Sequence, residues 1–516
     1  AGAGLTSIDI ATGSTLKMQP TQTGGVRTFD VVGDVDDGAG TPAKGGTLVL
    51  NGGDGATSND GIAISAALVT GNTKLTTITV TGGNAATTGI GGAITSSTFN
   101  GTTDATTYNV LGGTGGTGGG AATGGVGGAV ATYINTGATT ATTINLTGGL
   151  GGVGDADDTS GRGGAGGAVG SSAGTFTGLV TGAVNAVSGN GADGGAGGTS
   201  QSGAIGGEGG AVTISDFANG LTGAIVLTGG NGGNGGLGNA SGKLGGVGGI
   251  GGITTLSDLD TGGDLTNVTV SAGTAGNGGD SGVANGGKGG DSGTVVLTRI
   301  DDVVGGNLTI TGGHGGVGGS GVGAGTGGEG GDGVAIATLV INGDITGNVS
   351  ITSGSGGNGG TNGAGAGSGG AGGDGAAVAT SINADVGGTI SLDDGGAGTA
   401  GVDTGAGSGG AGGAASAVTL SFAGAAAQVV TGAVSAAADG EGAIVVNNST
   451  AGGSADITFS GAVGTSSVAL KSFTLTQGEA KMDGNVFADT MSTANGHAFD
   501  FNGNVTADTS ITIGKW

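Results

Sequence analysis

The chain has 516 residues, 142 of them Gly, with two Pro, no Cys, 3% aromatic and 9% charged residues, and a net charge of −26 at pH 7. Collagen needs abundant Pro and a strict Gly-X-Y period, and disulfide scaffolds and zinc–thiolate sites need Cys, so all three are excluded. An acidic chain also lacks the basic surface on which nucleic-acid affinity rests.

The opening Ala1-Gly2-Ala3-Gly4 has no basic stretch before an apolar run and reads as the mature end of an exported protein. No run of about 18 apolar residues is present to cross a membrane as a helix. Residues 1–75 carry strand-like pieces, Thr28–Val32 and Thr47–Leu50, without long glycine tracts. They read as N-terminal flanking β coils.

From residue 76 to 417 one phrase recurs: apolar-x-apolar-Thr/Ser-Gly-Gly, as in Ile78–Gly83, Ile144–Gly149, Ile225–Gly230 and Leu308–Gly313. Anchored on its second apolar residue, it falls at Val80, Val110, Leu146, Val187, Leu227, Val270, Ile310, Ile351 and Leu392. The spacings settle near 41 residues, the signature of a stacked repeat. Period-two alternation and β-branched residues predict a strand at each anchor. Glycine every second or third residue, at about 1 kcal/mol each, argues against helix. The fold expected is an all-β solenoid of about nine repeats, one coil each, about 40 Å long at ~4.8 Å per coil. One residue past the anchor, the series Thr81, Leu111, Thr147, Ser188, Thr228, Ser271, Thr311, Thr352 and Asp393 predicts an outward ladder. Asn267, Asn307 and Asn348, three before the anchor, predict a second.

Each anchor leads into about 20 residues of Gly-Gly-x triplets, clearest from Gly312 to Gly333. Two regular runs flank a less regular middle, which predicts an excursion out and back. With three residues per turn, a polyproline-II-like helix of Gly-Gly-x sets x on one edge and leaves two faces bare for lateral packing. The alternative is a mobile glycine loop, because ordering glycine is entropically costly. Apolar segments such as Val334–Ile341 and turns such as Asn342–Gly347 lead back to the next anchor. Residues 418–516 carry shorter strands, including Ile444–Val446, Ala455–Phe459 and Ser510–Ile513, and read as C-terminal β coils.

Little catalytic chemistry is visible. His314 is the x of a triplet and His497 stands in no motif. The P-loop look-alike Leu237–Leu244 lacks the first Gly and the Ser/Thr after Lys243. A non-enzymatic role is expected. Gly327–Ala335 fits the calcium-binding nonapeptide, and stacking aligns its Asp332 with Asp291 and Asp374. A calcium site at Asp291, Asp332 and Asp374 is one reading; a solvated acidic edge is the other. The clusters Asp34/Asp36/Asp37, Asp155/Asp157/Asp158 and Asp393/Asp394 allow calcium bridging between molecules, or simply confer solubility.

The phrases Asn342–Ile351 and Asn502–Ile511 resemble the coils of autotransporter passengers and bacterial surface-layer proteins. The Gly-Gly-x runs resemble the polyglycine-II bundles of glycine-rich antifreeze proteins and phage tail-fibre adhesins. The resemblance implies an exported cell-surface β-helix, structural or adhesive, and carries over no functional residue. The expectation is an extracellular structural protein that polymerises with itself into a filament, sheath or surface layer. A surface adhesin is the alternative. An ice-binding protein is a third reading, drawn from Thr-x-Thr strands such as Thr309/Thr311.

Overall fold

The computed structural model describes residues 7–10, 14–18, 26–31, 34–36, 44–55 and 60–512, apart from short segments at 120–121, 132, 157–160, 171–174, 177, 199–200, 215, 218–219, 240–242, 257–258, 260–261, 263, 337–338, 364–365, 416, 425 and 449–455. Ala1–Gly4, Val32, Asp37, Asp157, Asp158 and residues 240–242 of the P-loop look-alike therefore lie outside the described residues. Among the described residues there is strand but no helix, and none is long and apolar enough to cross a membrane.

The anchor strands behave as alternation demands. In Leu308–Thr311 and Val349–Thr352 the branched apolar residues are buried and the hydroxyl residues half-buried. Leu308 pairs in parallel with Val349, and Val349 with Ile390, so neighbouring strands lie 41 residues apart in sequence. Fourteen strands join this sheet, beginning with Ser7–Asp9 and ending with Val434–Ala436. A second parallel ladder joins Leu339–Ile341 to Val378–Ile382 and then Val418–Phe422. Between the ladders a corner column runs Val304, Ile345, Val386, Val430. Leu308, Ile310, Leu339, Ile341 and Ile345 close a core with almost no exposed area, which at about 25 cal/mol per Å² is the main apolar contribution of each coil. The chain is thus all-β with long parallel sheets, an arrangement compatible with a β-solenoid.

The ladder expected after each anchor holds except at one place. Leu146 pairs with Ala186, and Ala186 with Leu227, so the fourth anchor is Ala186 rather than Val187. Val187 faces outward, 37% exposed. Ser188 is buried, donates its hydroxyl to Gly210 O and accepts the Gly230 N–H at 2.7 Å. The sequence offers two small apolar residues in a row there, and a break in register between Thr140 and Thr143 decides which one turns inward.

Toward the N-terminus the strand Gly45–Asn51 pairs with Thr73–Thr81 in the same sheet, and Gly52, Gly55 and Gly61 already donate to the next coil. Toward the C-terminus the coils shrink. Thr419 pairs with Ala443, Ala443 with Ser472, Ser472 with Thr490 and Thr490 with Ser510. These coils lack excursions, and a file of rings joins the aliphatic core of Ile444, Val446, Leu470 and Leu475: Phe422, Phe459, Phe473, Phe499 and Phe501, with centroids 5.3–5.5 Å apart.

Candidate functional site

The excursions form two layers, an outgoing run such as Gly315–Gly319 and a return run such as Gly327–Gly333. The triplet Gly315-Gly316-Val317 shows how each backbone donor is met. Gly315 N–H donates to Ser355 O of the next outgoing run at 2.9 Å. Gly316 N–H donates to Gly290 O, in the return run of the preceding coil, at 2.9 Å. Val317 N–H donates to the Asn277 side-chain oxygen at 2.9 Å. Gly316 O in turn accepts from Gly331 N–H across the layers at 2.8 Å.

Glycine is required by this closeness. A Cβ on Gly315 would overlap the Gly331 carbonyl, and one on Gly316 the Gly276 carbonyl. Only x has room, and it faces outward. Ordering so much glycine costs entropy. Lateral hydrogen bonds along each run, each about 0.5–1.5 kcal/mol net, offset that cost.

The x residues stack in columns. One outgoing column reads Asp193, Asn234, Asn277, Val317: each polar side chain accepts the x N–H of the next coil, at 2.7, 2.9 and 2.9 Å. The same device joins Asn190 to Asn231 and Asn231 to Thr274. At the anchor strands and the residues just before them, Asn267, Asn307 and Asn348 repeat it, with Asn348 accepting from Thr389.

Asp291, Asp332 and Asp374 are brought together as one return column. Their Oδ1 atoms accept the N–H groups of Asp332, Asp374 and Ala414 at 3.0, 2.9 and 2.7 Å, and Lys288 Nζ lies 3.1 Å from Asp291. These carboxylates serve as backbone acceptors. No group of three or more His, Cys, Asp or Glu suited to a metal ion occurs among the described residues.

The remaining flagged residues do not converge. His314 is exposed, its Nδ1 2.7 Å from Ser355 Oγ. His497 Nδ1 accepts the Gly478 N–H at 3.0 Å in a C-terminal coil. Asp34 accepts the Asn72 N–H, and buried Asp394 accepts the Val418 N–H at 2.6 Å. Asp393 continues the outward ladder beside Thr352.

Two features escaped the sequence reading. One is an apolar stripe along a single return run, Leu244, Val247, Ile250 and Ile253, each 39–49% exposed. The other is a pair at the excursion tips, buried Asn362 and half-buried Asp403, joined at 3.1 Å. The stripe was signalled by four apolar x residues in succession, the pair by its 41-residue spacing. Set against known proteins, the chain matches no family model, no curated protein and no solved structure.

Proposed function

We propose that this is an extracellular structural protein: a β-solenoid with one coil of about 41 residues per repeat, flanked by shorter coils, which assembles with copies of itself into a filament, sheath or surface layer. Its Gly-Gly-x runs are read as polyglycine-II helices stacked beside the sheets. In support, within Gly312–Gly333 only Gly323, at the tip, has positive φ (73°), and every run bonds sideways to its neighbours.

The observation that carries the assembly reading is the last described coil. Val505–Thr512 has one strand neighbour, Val486–Thr493, and Ala498–Phe501 has one, Glu479–Met482. Phe499, Phe501, Val505 and Ala507, which continue the core, are only partly buried there. Among the described residues this coil has one neighbour, and its outer edge suits pairing with a further coil, of this chain or of another copy. Electron microscopy of the 516-residue chain, with and without residues 490–516, tests this. Polymer that needs those residues is the expected result; polymer unchanged by their removal rejects end-to-end addition.

A second reading, a cell-surface adhesin, is favoured by the Leu244–Ile253 stripe, since contiguous exposed apolar surface marks recognition sites. Size at micromolar concentration separates the two: polymer for the first, a discrete species for the second. The ice reading would need a regular hydroxyl array, and Leu111, Val187 and Asp393 interrupt the one on the strands.

A further inference from the structure

The return runs present an outward face on which x residues stand in columns. Gly163 N–H donates to Ile205 O, Gly206 N–H to Val247 O and Gly248 N–H to Lys288 O, which stacks Arg162, Ile205, Val247 and Lys288 in one column. Gly166 N–H donates to Glu208 O, Gly209 N–H to Ile250 O and Gly251 N–H to Asp291 O, which stacks Ala165, Glu208, Ile250 and Asp291 in the next. Three residues at ~3.1 Å each set the columns about 9 Å apart. The stripe of Leu244, Val247, Ile250 and Ile253 crosses both columns, each side chain 39–49% exposed, with Ile205 beside it at 44%.

Charge brackets the stripe on both sides, always in the same sense. In the coil after it Lys288 pairs with Asp291 at 3.1 Å, and in the coils before it Arg162 pairs with Glu208 at 2.8 Å. Each cation stands in the first column and each carboxylate in the second. A two-fold axis parallel to the stack, midway between the columns, exchanges them. It sets Val247 against Ile250 of a second copy and Leu244 against Ile253 of that copy. Lys288 then meets Asp291 of the second copy, and Arg162 falls one coil from its Glu208. One coil beyond Lys288 the axis opposes Glu329 to Asp332, like charges that end the contact.

We infer that this return face pairs with the same face of a second copy, two stacks lying side by side with their axes parallel. The contact is isologous. Four coils ~4.8 Å apart and four columns ~9 Å apart span roughly 600 Å² per copy, the low end for a specific pair. Apolar burial drives the pairing, and the charges set its register. At net charge −26 the chain is repelled by anionic membranes, whereas the match of cation to carboxylate about one axis is supplied by its own copy. The inference rests on the assembly reading in taking a copy as partner, and uses nothing of the end coil.

Sedimentation of the 516-residue chain, with particle width by electron microscopy, tests the pairing. Discrete pairs, or filaments two stacks wide, are expected. Ile250→Asp changes only an exposed side chain and should abolish pairing. Lys288→Asp alone and Asp291→Lys alone should each weaken it at least about tenfold, since each sets like charges across the axis. A one-to-one mixture of those two variants should restore it, which a folding defect in either would not do. Single-width particles up to about 0.1 mM, pairing untouched by Ile250→Asp, or a mixture of folded variants that stays unpaired would each overturn the inference. Single-width chains that bind phosphatidylcholine vesicles through Ile250 would overturn it in favour of a membrane. Single-width polymer overturns it and leaves end-to-end addition standing; discrete pairs without polymer support it and refute that addition.

Discussion

The coil that contains Gly316 and the coil that contains Phe473 solve the same problem in opposite ways. Around Gly316 the cross-section is widened by two layers that carry no side chains inside them, held by hydrogen bonds between backbones. Around Phe473 the coil is too short for any excursion, and the rings of Phe459 and Phe499 pack edge-on against it at 5.5 and 5.3 Å. The contrast teaches that absence of side chains is itself a packing solution. Removing Cβ lets each backbone approach several neighbours and satisfy its donors laterally. A narrow coil has no such neighbours and must fill its interior with volume.

The comparison breaks most visibly at the aromatic file. Phe459→Ala removes a fully buried ring between two others, and should cost about 3–5 kcal/mol. Each coil touches only the adjacent ones, so amide exchange should rise in the C-terminal coils and stay slow at Gly312–Gly319. Uniform loss of protection along the chain would erase the distinction between the regions.

Gly316→Ala is the matching lesion in the glycine layers. The added methyl meets the Gly276 carbonyl, a backbone atom with nowhere to go, so about 3 kcal/mol is expected, the upper end for overpacking. Val317→Ala, the adjacent residue at an outward x position, should stay within about 0.5 kcal/mol. Urea unfolding midpoints compare them directly. Equal effects would mean that the layers are looser than their hydrogen bonds imply.

A smaller effect sharpens the role of the x columns. Asn277→Leu leaves the Val317 N–H without its acceptor, at about 1–3 kcal/mol if that group stays dry. Asn277→Asp keeps the oxygen and should be nearly neutral. Exchange at the Val317 amide reads the difference: fast in the first variant, slow in the second.

These residues also mark what was legible in advance. The anchor register could be read because inward–outward alternation is local and the 41-residue spacing repeats it; Ile310 and Ile351 occupy the expected places. Ala186 was missed because neighbouring Val187 has the larger apolar side chain, while the choice of face is made in the adjacent strand. The bond from Gly316 to Gly290 was beyond reach, since glycine carries no side chain to record its partner. What the sequence does record is x. The series Asp193, Asn234, Asn277, at spacings of 41 and 43, carries the signal of an acceptor column, as Asn362 and Asp403 do at the tip, but only their stacking shows which backbone group each one meets.

The smallest expected effect concerns acid. Asp483 in the C-terminal coils accepts a 2.7 Å hydrogen bond from Asn502 Nδ2 and lies 2.9 Å from Lys481 Nζ. The Asn502 bond first, and Lys481 second, hold its carboxyl below the ordinary carboxylate range. A group whose pKa is lowered by folding adds stability above its unfolded value, near 4, and loses it as pH falls through the folded value. Removing the carboxylate by Asp483→Asn should therefore lower the unfolding midpoint slightly at pH 7, and by progressively less as pH falls below about 4. Because a neutral amide supplies the larger share, high salt should leave most of the shift in place, since screening acts on the Lys481 charge alone. Asn502→Ala should raise the Asp483 titration midpoint, followed by carboxyl NMR, more than Lys481→Ala does. The reverse order would mean that the two side chains meet mainly as charges, and that the turn is held by the ion pair.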